Sequence, residues 1–467
     1  MGKYRNLLLN TGIFASAQIA TKLITFFLVP LYTSFLTTGE FGITDMASTV
    51  ITLSFPLLTL SISDAVLRFA IDDRENAADY VGSGLVVVLL GCFAAALLSP
   101  LLNLPFFGGL GEYKVFFVAA FATNAFQYFF GLVARANGHL KAIPIASAIS
   151  TFVTAALAIV LIAYCGMHID GYFLSLIIGY AAGVAVYLIA DKDLIRQLRS
   201  GLDFSRLRPM LAYAIPMIPN SLFWWIGTSI NRFFITGMLG IAASGLFAAA
   251  SKIPNLINTV CNIFQQAWQL SAFQEYREEG TEAFFSIIFK LFNGAIVVIS
   301  SFIILVAPLL ASIILQQEFY TGWTLIPPIL IASYFNTMNT FYGTVFTSTM
   351  HTKHLFTSTV VGAVGCVLLT YAFIPLFGIV GAAFAMCISN ALVWLMRVRS
   401  AQNFIQIRVN WIATVLSIVI LVGQAFVVMG ETPFYFEASA VLFLLLCAVQ
   451  GYELFPLAAK LIRSFFR

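Results

Sequence analysis

Lys22, Arg232 and Lys252 each stand inside a long apolar stretch of the chain. A charged side chain at the centre of a bilayer-spanning helix costs at least about 2.5–3.5 kcal/mol on insertion scales, so it should face a partner or a wet cavity. Lys22 is far from both ends of its stretch, which weakens snorkelling to an interface as its explanation. Arg232 and Lys252 stand about two turns from the ends of theirs, so each either snorkels or lines the same cavity as Lys22. Three converging cations in a low-dielectric pocket would attract phosphate or another anion, and arginine matches phosphate oxygens especially well.

The acids and amides are sparser. Asp45, in the first turns of its span, is either a counter-ion or coupling group for those cations or a carboxylate favoured by a helix N-terminus. Asp64 and Arg68, four residues apart, read as a self-neutralised pair on one helical face. Gln265 and Gln269 beside Trp268, and Asn336 with Asn339, either contact sugar hydroxyls in a cavity or hold helices together. His351 and His354 have no carboxylate or thiol at ligand spacing, so no metal is assigned. The six cysteines are scattered singly and read as small hydrophobes. No catalytic set is visible, and no cofactor is expected beyond a coupling ion, Na⁺ or H⁺.

What must position these residues is a membrane protein. Hydrophobic residues make up 60% of the chain and charged ones 9%, against roughly 25% charged in a soluble domain. A span needs about 20 mainly apolar residues, and fourteen segments meet that requirement. They include 7–36, 42–69, 210–239, 243–270 and 320–350, with the others distributed up to residue 457. The A-x-A at Ala15–Ala17 resembles a cleavage site, but apolar sequence resumes at once, so an uncleaved first span is expected. Lys and Arg collect in alternate loops, with Lys114 the lone base on the other side, which places both termini in the cytoplasm. The net charge of +4 is therefore topological and predicts no nucleic-acid partner.

The polar segment 191–209 separates two groups of six spans, 1–190 and 210–400, and 401–467 adds two more. A faint repeat sets 36–42 against 239–245 and brings Ser48 onto Ser251. Six intervening spans return the second copy in the same orientation, as in parallel-repeat transporters whose halves enclose a central cavity. The expected fold is all-α, with two pseudo-symmetric six-helix lobes around a cavity. No loop is long enough to fold as a soluble domain, which disfavours an enzyme. Pro30, Pro56, Pro216, Pro219, Pro254 and Pro308 interrupt spans and permit bending.

Several stretches resemble the Wzx-type polysaccharide flippases of the multidrug, oligosaccharidyl-lipid and polysaccharide exporter superfamily. They are G-E-F-G-I-T-D-M-A from Gly39, P-L-L-T-L-S-I-S-D-A-V-L-R-F from Pro56, N-R-F-F-I-T-G-M-L-G-I-A-A-S-G-L-F-A-A-A-S-K-I-P from Asn231, Q-A-W from Gln266 and G-I-V-G-A-A-F-A from Gly378. The resemblance implies transfer of an undecaprenyl-diphosphate-linked oligosaccharide to the outer leaflet of the bacterial inner membrane by alternating access. Glycan assembly and polymerisation proteins would be its partners. Arg232 and Lys252 are the matching cationic positions. Family members commonly carry an acid before that arginine, whereas this chain has Asn231, a candidate polar cavity residue. The alternatives are a Na⁺- or H⁺-coupled multidrug exporter or a peptidoglycan-precursor flippase of the same superfamily, and an integral-membrane glycan polymerase or transferase.

Overall fold

The computed structural model describes residues 21–191, 194, 197, 204–276, 280–431 and 433–465. The start of the first expected span and much of the 191–209 linker lie outside them. Among the described residues the chain is helical, with no strand.

It divides into two compact units, Met1–Ala248 and Ala249–Arg467. The first holds α1 (Thr21–Phe35), α2 (Thr38–Leu58), α3 (Ile62–Asp72), α4 (Ala77–Leu98), α5 (Lys114–Ala136), α6 (Ala142–Ala158), α7 (His168–Ala190), α8 (Phe204–Ala214), α9 (Ile218–Ser229) and α10 (Asn231–Leu239). The boundary falls within α11 (Ile241–Glu275), a 35-residue helix with Pro254 inside it. The second unit continues with α12 (Thr281–Leu305), α13 (Ala307–Ile314), α14 (Ile326–Ser348), α15 (Thr352–Phe377), α16 (Ile379–Ala401), α17 (Trp411–Met429) and α18 (Tyr435–Phe465). This division follows compactness and cuts later in the chain than the polar linker.

Among the described residues ten helices are long and apolar enough to cross a membrane, and each falls on an expected span. The chain is therefore a multi-pass membrane protein. The other four expected spans have visible reasons to differ. The first is only partly described, and 210–239 is divided among α8, α9 and α10 around Pro216 and Pro219. The α11 helix carries Asn255, Asn258 and Gln265, and α14 carries Asn336, Asn339, Thr340 and Thr344. Such side chains are tolerable in a span where they meet protein or water instead of lipid.

Span 42–69, expected as one helix, is two. Thr37 opens α2 with a capping box: Glu40 N donates to Thr37 Oγ1 at 3.2 Å, and Thr37 N donates to Glu40 Oε2 at 2.8 Å. Pro56 weakens the last turn, and Leu60 and Ser61 then adopt left-handed φ values of 52° and 50°. Two successive non-glycine residues there end the helix, and α3 begins at Ile62 with no side-chain cap.

Glycine brings α2 against the start of α11. A Cβ on Gly42 would overlap the carbonyl oxygen of Ile241, and one on Gly245 would overlap that of Thr38. Backbones this close leave no room for any side chain. The contact is reciprocal at the offset of the faint repeat, since Thr38 and Ile241 are separated like Gly42 and Gly245.

Candidate functional site

Arg232, in the first turn of α10, donates from Nε to Asp45 Oδ2 at 2.5 Å. The side chains are 17% and 9% exposed, so each charge depends on the other for what water would otherwise supply. Neighbouring contacts fix the pair in place. Trp225 of α9 donates its indole N–H to Thr49 O at 3.2 Å, and its ring meets Phe233 edge-on at 5.6 Å. Phe233 meets Phe107 at 5.7 Å from its other neighbour. Tyr172 of α7 packs on Tyr32 of α1 at 5.3 Å.

Next to this girdle the first unit contains a cavity of about 610 Å³. Ser48, Thr52, Phe55, Pro56 and Ser61 line it from α2 and the break that follows, and Asp64 from α3. Asn124 and Tyr128 of α5, Leu176 and Tyr180 of α7, and Ser221, Trp224 and Trp225 of α9 complete the wall. Tyr180 and Asn124 share a hydrogen bond, and the Tyr128 ring stands 5.1 Å from Phe55. A larger cavity of about 700 Å³, between the α5–α6 turn and the end of α7, is walled mostly by aliphatic side chains such as Ile145, Ile149, Val186 and Ile189. Its lining suits lipid chains better than a polar solute.

The expected Asp64–Arg68 pair does not form. Arg68 Nη2 instead lies 3.0 Å from Asp72 Oδ2, one turn further along α3. Asp64 accepts from the Tyr128 hydroxyl at 3.3 Å and occupies the first turn of α3, where the helix N-terminus favours a carboxylate. Among the described residues no base lies within ion-pair distance of it.

The other sequence-derived residues are dispersed. Lys22 is exposed on α1, and Asn231 is buried beside Arg232 in sequence. Lys252 is half-buried in the part of α11 that belongs to the second unit. Gln265 is buried and donates to Thr344 Oγ1 at 2.5 Å and Thr340 O at 3.2 Å, binding α11 to α14. Gln269 and Asn336 are exposed, whereas Asn339 is buried and donates to Asn390 O at 3.0 Å.

Two clusters have no counterpart among the sequence expectations. Arg397 of α16, 8% exposed, donates to Ser358 Oγ at 3.0 Å, Thr359 Oγ1 at 3.0 Å and Asn339 O at 2.6 Å. In the first unit Arg206 of α8 reaches Asp73 Oδ2 and the Tyr80 hydroxyl, each at 3.0 Å. Hydrogen bonds from Asn76, then Tyr80, with the Arg206 charge alongside, hold the Asp73 carboxyl below the usual carboxylate range. In the sequence Arg206 and Arg397 are two of the bases that collect in alternate loops, and nothing there supplies their partners.

Residues 7–269, more than half of the chain, match the model of the polysaccharide biosynthesis protein family. No curated protein matches. Among solved structures, the lipid II flippase MurJ in an inward closed conformation superposes with a TM-score of 0.71 at 11% identity, covering 97% of this chain and 99% of MurJ. An inward-facing multidrug resistance MATE family transporter of the MOP superfamily gives 0.64 at 14% identity, over 84% of this chain and 98% of that one. A MOP superfamily transporter from Pyrococcus furiosus, described by a reverse polarity of its binding pocket, gives 0.56 at 16% identity over 85% and 94%. With the MOP transporter fold spanning both units and the family model covering the whole described first unit, the chain belongs to the polysaccharide biosynthesis protein family.

Proposed function

We propose that the protein is a flippase that carries an undecaprenyl-diphosphate-linked oligosaccharide from the cytoplasmic to the outer leaflet of the bacterial inner membrane. The observation that carries this reading is the cavity of about 610 Å³, in which hydroxyls, an amide, a carboxylate and aromatic rings line a space within membrane-crossing helices. Lipid tails need no such lining, whereas a hydrophilic head group does. Family membership supports a glycan as that head group.

In this reading Lys22 and Lys252 attract the diphosphate, Arg232 contributes while held by Asp45, and the polyprenyl tail stays in lipid. Asp45 is also the group through which Na⁺ or H⁺ would act on Arg232, by competing for the shared carboxylate. Both termini face the cytoplasm, and the partners are proteins that assemble the lipid-linked glycan on one side and polymerise it on the other. The test is the leaflet distribution of the lipid-linked oligosaccharide with and without the protein. Accumulation on the cytoplasmic side with loss of surface glycan is the expected result, and an unchanged distribution overturns the reading. Lys22→Ala and Lys252→Ala should each lower surface glycan at unchanged protein level. Full activity in both would remove the cations from the mechanism.

A second reading, export of organic cations, is favoured by one observation: Asp64 stands among aromatic rings, an arrangement that attracts cations. Drug efflux dependent on Asp64 would support it.

A further inference from the structure

We propose that the cavity of the first unit is a carbohydrate subsite that receives an uncharged pyranose and turns away acidic sugars. This rests on the flippase reading of the same cavity and specifies which head groups it takes.

The lining offers hydroxyl oxygens and a carboxylate as acceptors beside an amide and an indole. Ser48 Oγ donates to Thr44 O at 3.1 Å, Thr52 Oγ1 to Ser48 O at 2.7 Å and Ser221 Oγ to Met217 O at 3.4 Å. These three hydroxyl protons are directed to backbone carbonyls, which leaves acceptor capacity on the oxygens. The Asp64 carboxylate adds acceptor capacity beyond its bond from Tyr128. Among the described residues no Lys, Arg or His belongs to the cavity wall. A sugar's hydroxyls both donate and accept, which matches such a wall. A uronate would place a second carboxylate near Asp64 in a low-dielectric space, where like charges repel strongly.

The aromatic groups complete the match. Trp224, 62% exposed, and Tyr128, 43% exposed, both line the cavity. A pyranose presents one face of C–H groups, which packs on a flat ring while its equatorial hydroxyls reach outward. An organic cation would use the carboxylate and the rings but leave the row of hydroxyl acceptors unpaired.

The experiment is binding of three short-chain polyprenyl diphosphates, one bare, one carrying glucose and one carrying glucuronate, to the full-length protein in nanodiscs. The glucose compound should bind about tenfold more tightly than the glucuronate compound, a difference of about 1.4 kcal/mol. Asp64→Asn should shrink that preference, and Trp224→Ala should weaken the glucose compound about tenfold while Trp224→Phe, which keeps a ring face, restores most of it. Equal binding of the two sugars by the unmodified protein overturns the proposal, as do variants that match it for all three probes. If the bare lipid still binds in those cases, the flippase reading stands; if the bare lipid does not bind, that reading falls separately. Asp64-dependent binding of tetraphenylphosphonium without any glucose preference would make the cavity an organic-cation site and also overturn the proposal.

Discussion

Arg232 in the first unit and Arg397 in the second are both largely removed from solvent, yet one meets a carboxylate and the other only neutral oxygens. Asp45 stands on α2, which helps bound the cavity, and the energy of the Asp45–Arg232 pair rests on two opposite charges. Arg397 binds three helices, α14, α15 and α16, through partners that do not titrate. Gly343 leaves room for it, since even a Cβ there would stand 3.3 Å from Nη1. A buried arginine can therefore serve as a movable charge or as a fixed clamp, and its acceptors decide which.

The sharpest way to break this comparison is to remove one member of the pair. Asp45→Ala leaves a mostly buried guanidinium without its counter-charge and should cost about 3 kcal/mol. Asp45→Ala combined with Arg232→Ala should recover most of that loss in apparent thermal stability. Strictly additive losses would show that the two charges are not coupled. Arg397→Met should cost less, about 2 kcal/mol, because it strands neutral acceptors only, and no single compensating substitution should restore it. A rescue of Arg397→Met by one further change would show that the clamp depends on a single partner.

The smallest effect concerns the surface contact of α8. Because the folded carboxyl of Asp73 titrates below its ordinary range, its contribution is complete above about pH 4 and is lost as pH falls through the depressed value. Hydrogen exchange at residues 204–214 should stay constant from pH 7 to pH 5, after correction for intrinsic rates, and rise only in stronger acid. Asp73→Asn should remove that acid-dependent step.

The apolar runs and the alternation of loop charges made the helical membrane fold legible, because bilayer thickness and topology act directly on composition. The site was only partly legible. Asp45 and Arg232 were each conspicuous as charges in apolar surroundings, but their pairing joins residues far apart in sequence. Asp64 and Arg68 keep i,i+4 spacing within α3, but Arg68 has a second carboxylate four residues further on, Asp72, and Asp64 has the Tyr128 hydroxyl, a partner distant in sequence. Trp224, Tyr128 and Asn124 went unremarked because aromatic and amide side chains are ordinary in spans until a cavity is seen between them. Gln265, by contrast, shows why an amide in a span is ambiguous: it is consumed by α14.

The glycine contact between α2 and α11 has a mechanical consequence. Where side chains separate two helices, compression is cushioned by rotamer changes; where backbone meets backbone, nothing remains to yield. Gly42 and Gly245 therefore form a hard stop: these two helix ends cannot approach any further.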